Sequence, residues 1–269
     1  MLRFISFTSG SCGNCSLLLH EGEQGRTGVL IDAGASLRRM KKTLDGYGLS
    51  LSDISCILVT HDHLDHIRHL GAFCKRLAVP VYAPGVLLGA LRNHSFTREY
   101  IPSVARPLEM GKWNAIAPEV MVRCFEVPHD ATQTVGYAIV LGDRKFVLMT
   151  DCGSVPAEAL SLCGGADTVV IESNFDLDML LGGNYPYELK MRICKGAGHL
   201  SNDACADAIE RFIHPGLRNL FLCHLSAENN TPSLAYNSAL KALEAAGVKK
   251  GEISLRVLPR GEATPLLEL

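Results

Sequence analysis

The sequence predicts an α/β fold of four layers, αββα, in which two mixed β-sheets pack face to face and helices cover both outer surfaces. Three observations point to it. Short β-branched or apolar runs bounded by turn residues recur from one end of the chain to the other. They come first as adjacent, antiparallel-looking runs, then alternate with amphipathic segments, and this order occurs twice. No stretch rich in Pro, Gly or Ser divides the chain, so residues 1–269 read as a single domain with a pseudo-symmetric interior.

Strands are expected at 2–8, 16–20, 28–33, 54–60, 80–83, 120–127, 134–141, 144–150, 167–172, 219–223 and 253–258. Gly142-Asp143 tolerates the positive φ of a tight hairpin between two of them. Three helices carry clear signals. Ser36 is expected to cap one in which Leu37, Met40, Leu44 and Tyr47 recur at helical spacing. Asn202, read as a cap, precedes one whose apolar face is Cys205, Ala208, Ile209, Phe212 and Ile213. The third starts from Thr231 with Pro232 in its first turn, presents Leu240 and Leu243, and closes at Gly247.

With 47% hydrophobic and 20% charged residues, the 269-residue chain is long enough to bury a large core, which excludes disorder as its main character. The 26 Lys and Arg against 28 Asp and Glu leave a net charge of −2. That balance excludes a histone-like binder, and a nucleic acid would have to be held by a local basic patch or by metal ions. No window approaches the ~18–20 apolar residues that a membrane helix needs, and Met1–Gly10 has no h-region, so a soluble cytoplasmic protein without a membrane partner is expected. The ten cysteines lie scattered through apolar runs and read as reduced thiols. Cys12-Gly13-Asn14-Cys15 has no second Cys-x-x-Cys to complete a zinc ribbon, and reads as a turn.

The strongest chemical signal is Val59-Thr60-His61-Asp62-His63-Leu64-Asp65-His66, which ends a predicted strand. Ligand-binding loops sit at the carboxyl ends of such strands. His61 and His63 alternate along an extended turn, and Asp65 and His66 open the next helix; imidazole and carboxylate are ligands preferred by zinc, iron and manganese. Four such residues do not fill two metal shells. Three single candidates end other strands: His129 after Val127-Pro128, Asp151 after Met149-Thr150, and His224 after Leu222-Cys223. His20, His69, His94 and His214 fit no such place.

This series resembles the metallo-β-lactamase-fold hydrolases, whose motifs run Asp, His-x-His-x-Asp-His, His, Asp, His in that chain order. The resemblance covers essentially the whole chain. It implies that His61, His63 and His129 hold one divalent ion (Zn²⁺, Mn²⁺ or Fe²⁺), that Asp65, His66 and His224 hold a second, and that Asp151 bridges them. It also implies that the pair, ~3.5–4 Å apart, shares a hydroxide that attacks the substrate. Asp32, in Leu30-Ile31-Asp32-Ala33-Gly34, matches the first of these motifs, and the resemblance makes it an orienting residue behind the ligands.

Only 73 residues separate Asp151 from His224, too few for the inserted cap domain of RNA-processing endonucleases of this fold. The third motif, Val-Pro-His-Asp-Ala, differs from the Gly-His-Thr-Pro-Gly of thioesterases, lactonases and persulfide dioxygenases. Secreted β-lactamases need an export signal, and many place Cys where Asp151 stands. The remaining text resembles the small bacterial YycJ/WalJ-type exonuclease branch. It comprises Ser9-Gly10-Ser11-Cys12-Gly13-Asn14-Cys15, Glu172-Ser173-Asn174, Tyr185-Pro186, Leu189-Lys190, Arg192-Ile193, Gly198-His199-Leu200-Ser201-Asn202, His224-Leu225-Ser226 and Asn229-Asn230. Phe175 departs from an expected His, and Cys12 from a more usual Ser.

The resemblance implies a DNA phosphodiester hydrolase, with Asp65 and Asp151 in the catalytic centre and His199 in a proton-transfer or phosphate-contacting role. His199 otherwise belongs to a helix cap with Ser201 or Asn202. Lys190 and Arg192, read as a loop before His199, are the expected substrate contacts, ahead of the Arg38-Arg39-Met40-Lys41-Lys42 run, which reads as a solvated face. Two alternatives stand beside this reading: hydrolysis of a small phosphodiester or other ester, and a regulatory binding protein on the same fold.

Overall fold

In the computed structural model, which describes residues 1–23 and 25–269, each sheet is built from an antiparallel half followed by a parallel half. The first half of the chain gives β1 (Leu2–Gly10), β2 (Gly13–Gly22), β3 (Gly25–Ile31), α1 (Leu37–Asp45), β4 (Ile54–Leu58), α2 (Leu64–Ile67), α3 (Leu70–Leu77), β5 (Val81–Pro84), α4 (Gly85–Asn93), α5 (Ile101–Val104) and β6 (Ala105–Leu108). The second gives β7 (Trp113–Ala117), β8 (Val120–Glu126), β9 (Val135–Leu141), β10 (Arg144–Met149), α6 (Ala157–Cys163), β11 (Thr168–Glu172), α7 (Leu177–Gly182) and α8 (Tyr187–Cys194). It continues with α9 (Asn202–Phe212), β12 (Asn219–Cys223), α10 (Pro232–Ala245), β13 (Ser254–Val257) and β14 (Leu267–Glu268).

The sheets run β14-β1-β2-β3-β4-β5-β6 and β13-β12-β11-β10-β9-β8-β7, seven strands each. Pairing is antiparallel from β1 to β3 and parallel from β3 to β6; it is antiparallel from β7 to β10 and parallel from β10 to β13. Successive strand residues point to opposite faces, and here both faces are apolar. In β12, Leu220 and Leu222 pack toward the helices α6, α9 and α10, while Phe221 and Cys223 face the other sheet. In β3, Leu30 faces α1, α3 and α4, while Val29 and Ile31 turn to the middle. Phe4 sits in that middle layer with ring centroids 5.6 Å from both Phe146 and Phe221, arrangements worth about 0.5–1.5 kcal/mol each beyond their buried area.

The expected fold class is the observed one, and the differences are local. The Leu141↔Arg144 pairing with Gly142 at φ 60° is the expected hairpin, and Thr231 caps α10 through Leu234 N. Leu240 of α10 is only half-buried, and Ala235, Ala239 and Ala242 form its packed face with Leu243. The α9 cap is Ser201, whose hydroxyl accepts from Ala204 N; the Asn202 side chain instead binds Ser173 and Asn230. Tyr47 lies beyond the end of α1 and is exposed. Strands β6, β7 and β14 escaped the sequence reading. They are two to five residues long at sheet edges, where Pro107 and scattered polar residues blur the period-2 pattern. Cys12 lies in the β1–β2 turn and Cys15 on β2 opposite Thr8, and all ten cysteines are free thiols.

Candidate metal centre

The two sheets meet at one edge, where the carboxyl ends of β3, β4, β8, β10, β11 and β12 converge. Tyr137 of β9 donates its hydroxyl to Val59 O at 2.5 Å, and Val135 N donates to Thr60 O at 2.9 Å, joining the sheets beside the His61 loop. Among the described residues, five that are not glycine have positive φ, and three of them are Asp32 (59°), Asp151 (50°) and His224 (54°). Each follows directly on its strand or within two residues of it. A left-handed backbone costs a side-chain-bearing residue of order 1–3 kcal/mol, so the fold spends stability to aim these three side chains at one place.

Donor atoms of His61, His63 and His129 lie within 4.8 Å of one another, as do those of Asp65, His66 and His224, and those of His61, His66 and Asp151. Asp151 stands between the first two groups: Oδ2 is 3.1 Å from His66 Nε2, and Oδ1 is 3.8 Å from His129 Nε2 and 3.3 Å from His224 Nδ1. Asp32 Oδ2 holds His66 Nδ1 at 2.8 Å and accepts the Thr60 hydroxyl at 2.8 Å, while Oδ1 accepts Thr60 N. His66 is thereby turned so that Nε2 faces the cluster.

Burial, reinforced by His66, holds His61 well below the ordinary histidine range, leaving its ring in the neutral form that ligates metals. Burial also opposes protonation of His66 and His224, but the carboxylates outweigh it: Asp151 with Asp32 raises His66 well above its usual value, and Asp151 with Asp65 and Glu172 lifts His224 to about 10. Asp151 is held well below the carboxylate range by His224 and His66 against the cost of its burial.

His61 Nε2 and His224 Nε2 are buried without a hydrogen-bond partner. Buried polar atoms left in this way are costly in a folded protein unless a further group meets them. Two imidazole-rich triads joined by a buried carboxylate supply the nitrogen and oxygen donors that zinc, manganese or iron(II) take, so the residues present fit divalent ions.

Two supports went unread in the sequence. Glu172, fully buried at the end of β11, places Oε1 2.8 Å from His199 Nδ1 and 3.0 Å from His224 Nδ1, while Oε2 accepts Cys152 N at 2.7 Å. Asn14, at the start of β2 just after the β1–β2 turn, donates to Asp65 Oδ2 at 3.1 Å and lies 2.8 Å from His66 Nε2. Gly34 fits beneath them: a Cβ there would come within 1.9 Å of Asp65 O and 2.4 Å of Asn14 N.

Residues 27–224 match the Beta-lactamase superfamily domain. The chain belongs to that superfamily. It is 32% identical over 269 residues to the exodeoxyribonuclease WalJ of Streptococcus pneumoniae, covering 99% of this chain and 98% of the relative. It is 34% identical over 255 residues to the exodeoxyribonuclease YycJ of Bacillus anthracis, covering 93% and 92%. Among solved structures, the metallo-beta-lactamase fold protein YhfI of Bacillus subtilis superposes with a TM-score of 0.69 at 15% identity, covering 98% of this chain and all of that one. The shared architecture is that of two mixed sheets flanked by helices, characteristic of this superfamily of metal-dependent hydrolases.

A cleft of about 280 Å³ opens on the cluster and is lined by His63, Asp65, His129, Asp151, His199 and His224. Arg192 lines it as well, on α8 rather than in a loop, and donates from Nε to Asp130 Oδ2 at 2.5 Å. Lys190, on the same helix, does not: its ammonium is spent on the carbonyls of Leu181 and Gly183, each at 2.7 Å. Of the Arg38–Lys42 run, Arg38, Lys41 and Lys42 are exposed, while Arg39 is half-buried and donates to Gly261 O. Phe175 is buried and its carbonyl accepts Asn202 N. His214 is bound to Ala166 O, and His20 lies beside Glu119, outside the cleft. No helix among the described residues is long and apolar enough to cross a membrane.

Proposed function

We propose that the chain is a metal-dependent phosphodiester hydrolase acting on DNA ends, an exodeoxyribonuclease. The observation that carries the reading is the Glu172–His199 pair at the rim of the donor cluster, 2.8 Å from Oε1 to Nδ1, inside a cleft that also presents the Arg192 guanidinium. The names of the two bacterial relatives support the substrate class. A net charge of −2 makes the cluster, rather than the overall field, the means of attracting phosphate.

His61, His63 and His129 would hold one divalent ion and Asp65, His66 and His224 the other, with Asp151 shared. Bound there, the ions would supply Lewis acidity and generate a nucleophile from water at neutral pH. Asp32 and Asn14 fix the ring and carboxylate orientations of His66 and Asp65. With its Nδ1 engaged by Glu172, His199 has Nε2 left to donate a proton to the departing oxygen. Asp130 holds Arg192 where its fork can meet a phosphate oxygen.

The size of the cleft favours one competing reading, hydrolysis of a small phosphodiester. Comparing wild type with His199→Gln on duplex DNA, single-stranded DNA and methyl p-nitrophenyl phosphate separates the two. The nuclease reading expects DNA degradation from an end, a fall in kcat of about 10²–10⁴-fold in the variant, and unchanged metal content. Turnover of the small ester with no cleavage of either DNA overturns it.

A further inference from the structure

Helix α8 has no buried residue, although Leu189, Met191 and Ile193 give it three large apolar side chains. Eight residues are too few for a helix to be stable by propensity alone, and such segments usually persist by burying an apolar face. This one is tethered from outside. Lys190 grips two carbonyls of the α7 end, Arg192 pairs with Asp130, and His199 N donates to Ile193 O at 3.1 Å. Leu189 and Ile193, one turn apart, and Tyr185, in the bend before Pro186, line the same cleft as the metal-binding residues. The cleft lining therefore combines two chemistries: histidines, carboxylates and the Arg192 guanidinium, together with the aromatic and aliphatic side chains of Tyr185, Leu189 and Ile193.

A nucleotide has the same two chemistries, an anionic phosphate and a flat apolar ring. We infer that the Tyr185, Leu189 and Ile193 wall receives the nucleobase adjoining the scissile phosphate, with Tyr185 as its stacking platform. The inference rests on the nuclease reading above. At about 280 Å³ the cleft lies just below the roughly 300–1,000 Å³ of ordinary ligand sites, a size suited to a single nucleotide. A base that enters the cleft to stack on Tyr185 leaves its partner in the duplex, so the substrate end is unpaired. Because every base has a π-face, such a platform suits an enzyme that removes successive nucleotides without regard to sequence.

The test uses the metal-loaded enzyme and a single-stranded oligonucleotide ending in either an ordinary or an abasic nucleotide. Removing the base should raise KM about tenfold for wild type, as losing one stacked base typically does, with kcat nearly unchanged. Tyr185→Ala should raise KM on the ordinary end by a similar factor and add nothing on the abasic end. Tyr185→Phe, which keeps the ring, should match wild type. A terminal 2-aminopurine should be quenched on binding to wild type and Tyr185→Phe, and remain bright with Tyr185→Ala. If DNA is degraded but neither the abasic end nor Tyr185→Ala moves KM by twofold, the base site is wrong and the nuclease reading stands. If wild type degrades neither oligonucleotide while hydrolysing methyl p-nitrophenyl phosphate, both fall.

Discussion

Asp62 and Thr132 tie together the two loops that carry His63 and His129: the Thr132 hydroxyl donates to Asp62 Oδ2 at 2.5 Å and Thr132 N donates to Oδ1 at 3.2 Å. The loops are 70 residues apart in sequence, and His63 Nδ1 and His129 Nε2 stand 3.3 Å apart beside this link. A pair of side chains that touches no donor atom thus sets the spacing of two. Asp62→Ala and Thr132→Val should each weaken metal binding by roughly tenfold, the lower end of the effect of losing an orienting contact, because the link is solvent-exposed. The double variant should lose little more than Asp62→Ala alone, since that change already removes both bonds, including the hydroxyl bond that Thr132→Val breaks. Titration calorimetry with Zn²⁺ or Mn²⁺ reads this directly, and fully additive losses would show that the two residues act separately.

Asp151 and Asp32 should differ in kind. Asp151 reaches three histidines of the cluster, whereas Asp32 reaches one, through the far side of its ring. Asp151→Ala is therefore expected to abolish activity and reduce metal content at both triads. Asp32→Ala should lower affinity or rate by about 10–100-fold with metal still bound. Metal analysis after dialysis, beside a DNA-degradation assay, distinguishes these outcomes, and equal losses in two folded variants would contradict the division.

Much of this was legible because the chemistry is punctuated in the chain. Isolated His or Asp residues directly after apolar runs mark strand ends, and β-branched runs alternating with helical patterns mark the sheets. What stayed hidden depends on contacts between distant segments. Glu172 closes the run Thr-Val-Val-Ile-Glu, where an acid on a buried strand was the signal, but its partners His199 and His224 lie 27 and 52 residues onward. Asn14 looked like turn punctuation, which it also is, since its side chain binds Gly10 N and O. Lys190 shows the opposite case: a cation in the segment before His199 suggests a phosphate contact, yet its ammonium binds carbonyls at the end of α7.

Gly34 offers a test of how tightly the cleft floor is packed. A methyl group would meet backbone atoms of Asp65 and Asn14, which cannot rotate away as a flexible side chain would. Gly34→Ala should destabilise the fold by about 1–3 kcal/mol, as overpacking does, and should displace Asp65. Denaturant unfolding gives the first quantity and metal affinity the second. Wild-type values for both would mean that the loop holding Asp65 shifts freely.

Removal of metal should cost stability as well as activity. The buried Nε2 atoms of His61 and His224 have no hydrogen-bond partner within the protein, and Asp151 and Asp65 place negative charge 3.3 and 3.7 Å from the ring nitrogens of His224. A ligand that binds the native state alone stabilises it by RT ln(1 + [L]/Kd), about 2.7 kcal/mol at 100 times Kd. For a chain of this length each kcal/mol moves Tm by roughly 2–4 °C, so chelation should lower Tm by roughly 5–10 °C, and restoring Zn²⁺ or Mn²⁺ should return it. His224→Ala removes one of the orphaned atoms and one donor, so its Tm should respond less to chelation than that of wild type. Differential scanning calorimetry with and without chelator gives both numbers. A Tm that chelation leaves unmoved, in protein shown by elemental analysis to have lost its metal, would mean that the triads are satisfied without an ion and that the lost metal contributed nothing to the stability of the fold.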